Sequence, residues 1–171
     1  MSRVLPVLVV VAAFAALPKL ASAQTDPYDA WSGFGEGSSV SYEMTSEAGG
    51  KKTTSKLKLT LTKKEADKVT ITMEMEGHAK PFEQVYEKGK KKECPACKKA
   101  HKEAGLKETG KEKIKIGDKE IETVTYDITQ YGCDEKEAGT SKAWLCKDVP
   151  GWAVKAENKG VTTLATVFEK K

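Results

Sequence analysis

Two cysteines separated by two residues form the part of this chain whose spacing is best suited to chemistry. The segment Cys94-Pro95-Ala96-Cys97 opens a short predicted helix over residues 95–104, and Cys94 lies at its N-cap. A helix N-terminus stabilises a thiolate, which is how redox dithiols are activated. The surrounding sequence predicts strands and not the βαβ unit of thioredoxin-type proteins. A structural role is therefore the favoured interpretation, with redox activity as an alternative.

The same segment offers a second alternative, a metal site. Cys97 and His101 are spaced i, i+4 on the predicted helix, and Cys94 lies at its start. His78 or a later cysteine would have to complete the ligand set. A second pair of ligands with matching spacing is missing, and oxidation outside the cytoplasm competes for the thiols. We therefore expect no metal and no cofactor.

Four cysteines in an exported chain predict two disulfides, with three connectivities open. We favour Cys94–Cys97 together with Cys133–Cys146. The second bond requires a turn centred at Gly139-Thr140, because paired residues are equidistant from the turn. The other connectivities join Cys94 or Cys97 to the later pair.

Residues 1–23 have the three parts of a secretory signal peptide: a positive Arg3, an apolar run over residues 4–17, and a small-x-small cleavage site ending at Ala23. The sequence thus predicts a periplasmic or secreted protein. Arg3 and Lys19 are the leader's only charges, so its removal lowers the net charge from +4 to +2. This near-balance argues against nucleic acid as a partner, and no further apolar stretch predicts a membrane span.

Nothing in the sequence nominates a catalytic centre. The nucleophile elbow, the phosphate-binding loop, the dinucleotide fingerprint and the zinc-protease motif are all missing. The chain has two histidines, and its glutamates mostly alternate with apolar residues, as they do on solvent faces of strands. We therefore expect a protein that is not an enzyme.

Hydrophobic alternation predicts one mainly β domain over residues 24–171. A short helix is predicted over residues 27–34, with Asp26 as its N-cap. Val40, Leu57 and Val69 begin three segments that alternate apolar and polar residues, the pattern of a meander with one dry face. An insertion over about 78–111 follows, in which aromatic residues predict one brief element. Later segments bring the expected total to seven or eight antiparallel strands in a curved sheet.

The hairpin at Gly117-Asp118 carries a specific prediction. With a two-residue turn, Ile114 and Ile116 share a face, while Val124 and Tyr126 point the other way. If all apolar residues are to lie on one face, an extra residue is needed. We therefore expect a three-residue loop or a β-bulge between residues 119 and 123.

Two segments carry a family resemblance. They are the hairpin I-x-I-G-x-K-x-x-x-T-V followed by Trp144-Leu-Cys-Lys-Asp-Val-Pro-Gly-Trp-Ala-Val-Lys155, and the earlier Trp31-to-Tyr42 stretch. Together they resemble exported bacterial proteins similar to the periplasmic lipoprotein-carrier (LolA/LolB-like) half-barrels. That resemblance implies an antiparallel sheet curled around an apolar cavity that helices plug. Cys146 and the Cys94–His101 insertion depart from the family pattern.

The leading hypothesis is a binding or carrier protein that holds an apolar, lipid-like ligand on the concave face of the sheet. The alternatives are the thiol or metal module and a structural or interaction domain without a ligand. Apolar and aromatic side chains adapt to varied apolar ligands. The candidate lining residues are Val40, Tyr42, Leu57, Leu59, Leu61, Ile71, Met73, Tyr126, Trp144 and Leu164.

Overall fold

A computed structural model describes residues 26–90, 104–132 and 136–171. These residues form one helix and nine strands, in a single open antiparallel sheet whose strand order is β4-β3-β2-β1-β9-β8-β7-β6-β5. The elements are α1 (Pro27–Ser32), β1 (Ser39–Ala48), β2 (Lys51–Lys64), β3 (Lys68–Met75), β4 (Phe82–Glu87), β5 (Gly105–Ile116), β6 (Lys119–Tyr131), β7 (Glu137–Leu145), β8 (Ala153–Asn158) and β9 (Val161–Glu169). The prediction of a mainly β fold with a short N-terminal helix is confirmed.

The helix begins as the sequence predicts. The Asp26 side chain accepts a hydrogen bond from the Tyr28 amide at 3.1 Å, and Pro27 occupies the first helical position, where no amide hydrogen is needed. The helix ends at Ser32, two residues before the predicted end. Its buried side chains, Tyr28, Ala30 and Trp31, belong to the apolar core of the sheet.

The first three strands form the predicted meander. Tyr42 faces Leu57 across β1 and β2, and Leu57 faces Met75 across β2 and β3. Their side chains lie on the side of the sheet that α1 covers, which we call the helix face. The opposite side, the far face, carries Ser41, Lys58 and their in-register neighbours, which are charged or polar on these three strands. One dry face and one wet face follow directly from the alternation.

The predicted bulge between residues 119 and 123 is wrong. Pairing runs without a shift from Ile116–Lys119 to Glu112–Thr123, and the irregularity lies in β5, between Glu108 and Gly110. Ile114 and Ile116 therefore lie on the far face, whereas Tyr126 lies on the helix face. The prediction failed because it required every apolar residue to share one face.

The far face is also buried in this half of the molecule because the sheet bends. Three strands separate β5 from β9 in the sheet order, yet the two strands are in contact. At the hairpin tip, Gly117 lies close to the Thr166 carbonyl oxygen. Ile116 and Thr123 are thereby enclosed, at 3% and 0% exposure. One sheet thus has a core on each of its faces.

Several predictions lie outside the described residues. These are the signal peptide, the helix over 95–104, and the Cys94, Cys97 and His101 set. Within the insertion, the expected brief element is β4, which contains Phe82, Val85 and Tyr86.

Candidate functional site

The structure brings eight of the ten predicted lining residues to the helix face. In-register pairing joins Val40 to Leu59, Tyr42 to Leu57 and Leu61 to Ile71. The remaining residues of this set are Met73, which faces Leu59, and Tyr126, which faces Ala143. Most of the eight are buried against other core side chains.

Trp144 and Leu164 lie on the far face instead, in line with Lys155 between them. Trp144 is 3% exposed, and its indole Nε1 donates a 2.5 Å hydrogen bond to Glu112 Oε2. The ammonium groups of Lys155 and Lys142 lie 4.2 and 5.1 Å from the centre of the ring. The carboxylate and the two ammonium groups hold the Trp144 ring in the far-face core. Trp144 and Leu164 are therefore separated from the other eight predicted lining residues.

One line of apolar side chains crosses five adjacent strands on the helix face. In register it consists of Phe82, Met73, Leu59, Val40 and Phe168, which we call the apolar row. Val40 and Met73 are buried, Leu59 and Phe168 are half-buried, and Phe82 is 44% exposed. The row is therefore apolar along its whole length but incompletely covered.

The lines on either side of the row are better covered. Leu61 and Ile71 are buried on one side, and Leu57, Tyr42 and Ala165 are buried on the other. Leu59 is thus a half-buried leucine between two fully buried ones on the same strand. This break in the cover is the most specific feature of the helix face.

Two elements provide the cover. The first is α1 with the chain that follows it. The second is the loop between β7 and β8, residues 146–152. They touch where the Gly151 amide donates to the Ala30 carbonyl oxygen at 3.1 Å, with the Trp31 ring packed against Gly151. Gly151 has a positive φ of 76°, which suits glycine, and the following Trp152 has a φ of 60°, rare for so large a residue.

Tyr42 ties this loop to the sheet. Its hydroxyl donates a 2.9 Å hydrogen bond to the Ala153 carbonyl oxygen, and the residue is 2% exposed. Burial raises the pKa of Tyr42 well above its ordinary value, since a phenolate in this position would be desolvated. Burial likewise raises the pKa of Tyr86 on β4 to about 12. Both groups are neutral phenols at ordinary pH.

A pocket over the far face was not predicted from the sequence. It has a volume of about 490 Å³ and lies over β1, β2 and β3, with the loop at residues 78–81 as a wall. Its lining includes the charged residues Glu43, Lys56, Lys58, Glu74, Glu76 and Lys80, together with His78. Lysine and glutamate alternation on solvent faces of strands is ordinary, so the sequence gave no sign that a loop would enclose these residues.

The predicted Cys133–Cys146 disulfide is wrong in this structure. Cys146 is a half-buried free thiol. The proposed turn at Gly139-Thr140 falls inside β7, where Thr140 faces Thr129 of β6. Leu145, next to Cys146, faces Val124 near the other end of the β6–β7 pair. The other three cysteines lie outside the described residues.

Comparisons of the chain with protein-family models and with curated proteins found no match. In the part of the chain that the structure describes, no helix is both long and apolar enough to cross a membrane. Among the same residues, no three His, Cys, Asp or Glu side chains are grouped so that they could hold a metal ion.

Proposed function

We propose that this protein is a binding or carrier protein, without catalytic activity, that acts outside the cytoplasm and holds an apolar, lipid-like ligand on the helix face. The observation that carries the proposal is the partly uncovered apolar row. Leu59 is half-buried between Leu57 and Leu61, which are buried, and the row ends in Phe82 at 44% exposure. Apolar side chains that remain partly exposed next to a covered core favour contact with an apolar partner.

The architecture supports the same proposal. An open sheet with one apolar face and a helix packed on it has the plan of the lipoprotein-carrier half-barrels that the sequence resembles. In that plan the ligand takes the space that helix and loop leave free. Here Leu59 and Phe82 are the side chains that the helix and the loop leave partly exposed. The signal-peptide pattern of residues 1–23 supports a carrier that acts in the periplasm or the medium.

A pair of substitutions on one strand tests the ligand face. Phe82 and Val85 both lie on β4, at 44% and 47% exposure, but on opposite faces of the sheet. We expect Phe82→Ser to weaken binding of an apolar fluorescent probe, 1-N-phenylnaphthylamine, by about tenfold, because a phenyl contact contributes on the order of 1.5 kcal/mol. Val85→Ser is the matched control and should leave the affinity unchanged.

Mass spectrometry under native conditions, on protein purified from its own host, gives an independent measurement. A co-purified acyl compound that is lost from Phe82→Ser supports the proposal. Equal effects of the two β4 substitutions, or an absence of probe binding together with an apo mass, would rule out the helix face as a ligand site.

A further inference from the structure

The far-face pocket has a regular order of charges. Lys56 and Lys58 lie on the middle strand, β2. Glu43 faces Lys56 from β1, and Glu74 faces Lys58 from β3. The Glu76 amide donates to the Lys56 carbonyl oxygen at 2.9 Å, which places Glu76 beside Lys56. Lys56 is thus flanked by carboxylates on both sides, whereas Lys58 lies between Ser41 and Glu74.

The lysine and glutamate side chains of this pocket do not form ion pairs with one another. Opposite charges on neighbouring strands usually attract, and elsewhere in this sheet they form ion pairs, as in the 2.8 Å diagonal pair of Lys113 with Glu120. Within the described residues, however, the side chains of Glu43, Lys56, Lys58 and Glu74 have no ion pair and no hydrogen bond. Their charged groups are available to a ligand in the pocket.

We propose that this pocket binds a zwitterion in which a phosphate and an ammonium group are joined by a two-carbon linker. The phosphate lies over Lys56 and Lys58, and the ammonium group over Glu74 and Glu76. Adjacent strands are about 4.8 Å apart, a spacing that such a linker spans. Both contacts are charge-assisted hydrogen bonds, the stronger class of hydrogen bond in proteins.

The order of charges explains why the ligand must carry both signs. A lone anion over β2 is repelled by the flanking glutamates, and a lone cation over β3 is repelled by the lysines. His78 and Lys80 in the loop wall also line the pocket and carry nitrogen donors. The two proposals are tested separately, because this one rests on Lys56, Lys58 and Glu74 and the apolar ligand rests on Leu59 and Phe82.

The test is a titration of ¹⁵N-labelled protein with sn-glycero-3-phosphoethanolamine, followed by amide chemical shifts of β1–β3. Glycerol 3-phosphate and ethanolamine serve as single-charge probes. We expect saturable shifts with the zwitterion and at least tenfold weaker binding of either single-charge probe. Lys58→Ala and Glu74→Ala should each weaken zwitterion binding several-fold, whereas Lys113→Ala, on the distant hairpin, should not.

Vesicles distinguish the source of the zwitterion. Co-sedimentation with phosphatidylethanolamine vesicles, but not with phosphatidylglycerol vesicles, and its loss in Lys58→Ala, would assign the site to a lipid headgroup. Binding of the soluble zwitterion alone would assign it to a free metabolite. If neither form binds, if glycerol 3-phosphate binds equally well, or if Lys113→Ala has the same effect as Lys58→Ala, the proposal is overturned.

Discussion

At the scale of single residues, Gly151 decides how the β7–β8 loop meets α1. Its φ of 76° is strained for other residues, and an added Cβ would lie 2.9 Å from the Trp31 ring. We expect Gly151→Ala to lower the free energy of unfolding by about 3 kcal/mol, from backbone strain and overpacking together. Urea unfolding monitored by circular dichroism measures this loss.

The matched control is Gly49, whose φ is 59° and whose added Cβ would meet nothing within 4 Å. Gly49→Ala should cost only the strain, about 1 kcal/mol. Equal losses for the two variants would mean that the contact between Trp31 and Gly151 contributes nothing.

Tyr42 gives a prediction about pH. The folded-state pKa of Tyr42 is raised by burial, and that of Tyr86 is raised to about 12, compared with about 10 in an unfolded chain. Ionisation therefore favours the unfolded state, so the stability is fully present below about pH 10 and declines as the pH rises further. We expect Tyr42→Phe to lower stability by about 1 kcal/mol near pH 7, because the Ala153 carbonyl loses its donor.

In the same variant, the decline in stability between about pH 10 and pH 11 should be shallower than in the wild type, since one buried phenol is gone. Urea unfolding at several pH values measures both effects. An unchanged slope would show that Tyr42 ionises as easily in the folded protein as in the unfolded chain.

At the scale of elements, the edge strand β5 is held to β7 by the hydrogen bond from Trp144 to Glu112. Removing the carboxylate leaves a buried indole N–H without an acceptor, so Glu112→Ala should lower the free energy of unfolding by about 2 kcal/mol. Glu122 is a suitable control, because its 3.6 Å pair with Lys111 is exposed. Glu122→Ala should stay within about 0.5 kcal/mol of the wild type in chemical denaturation. A larger loss of stability in Glu122→Ala than in Glu112→Ala would mean that exposed ion pairs, and not the indole hydrogen bond, stabilise the edge strand.

The elements also show which predictions a sequence can support. Alternation predicted β1 to β3 and which of their residues share the dry face, since side chains alternate with a period of two. It could not place Trp144 relative to Tyr42. That relation passes through three strand pairs, two of which contain a bulge, and each bulge exchanges the faces. The candidate ligand face was thus predictable within the meander and not across the whole sheet.

At the scale of the whole molecule, the bend of the sheet is what the sequence did not reveal. The reasoning about the Gly117-Asp118 hairpin assumed one apolar face, whereas contact between β5 and β9 creates a second core around Ile116 and Trp144. The far-face pocket was missed for a related reason, because enclosure by residues 78–81 depends on tertiary placement. Side-chain type indicates which residues avoid water, and only the path of the sheet determines what covers them.

Two cores on one sheet should still unfold together, because β1 and β9 join the two halves and pair with each other along most of their length. We expect Leu61→Ala in the helix-face core and Ile116→Ala in the far-face core each to cost about 3 kcal/mol. For each variant, the urea midpoint from tryptophan fluorescence should equal the midpoint from circular dichroism, with one transition. The double variant should lose the sum of the two, since the residues lie on β2 and β5, which do not pair. A second transition in Ile116→Ala alone would mean instead that the bent half, β5 to β9, unfolds before the meander.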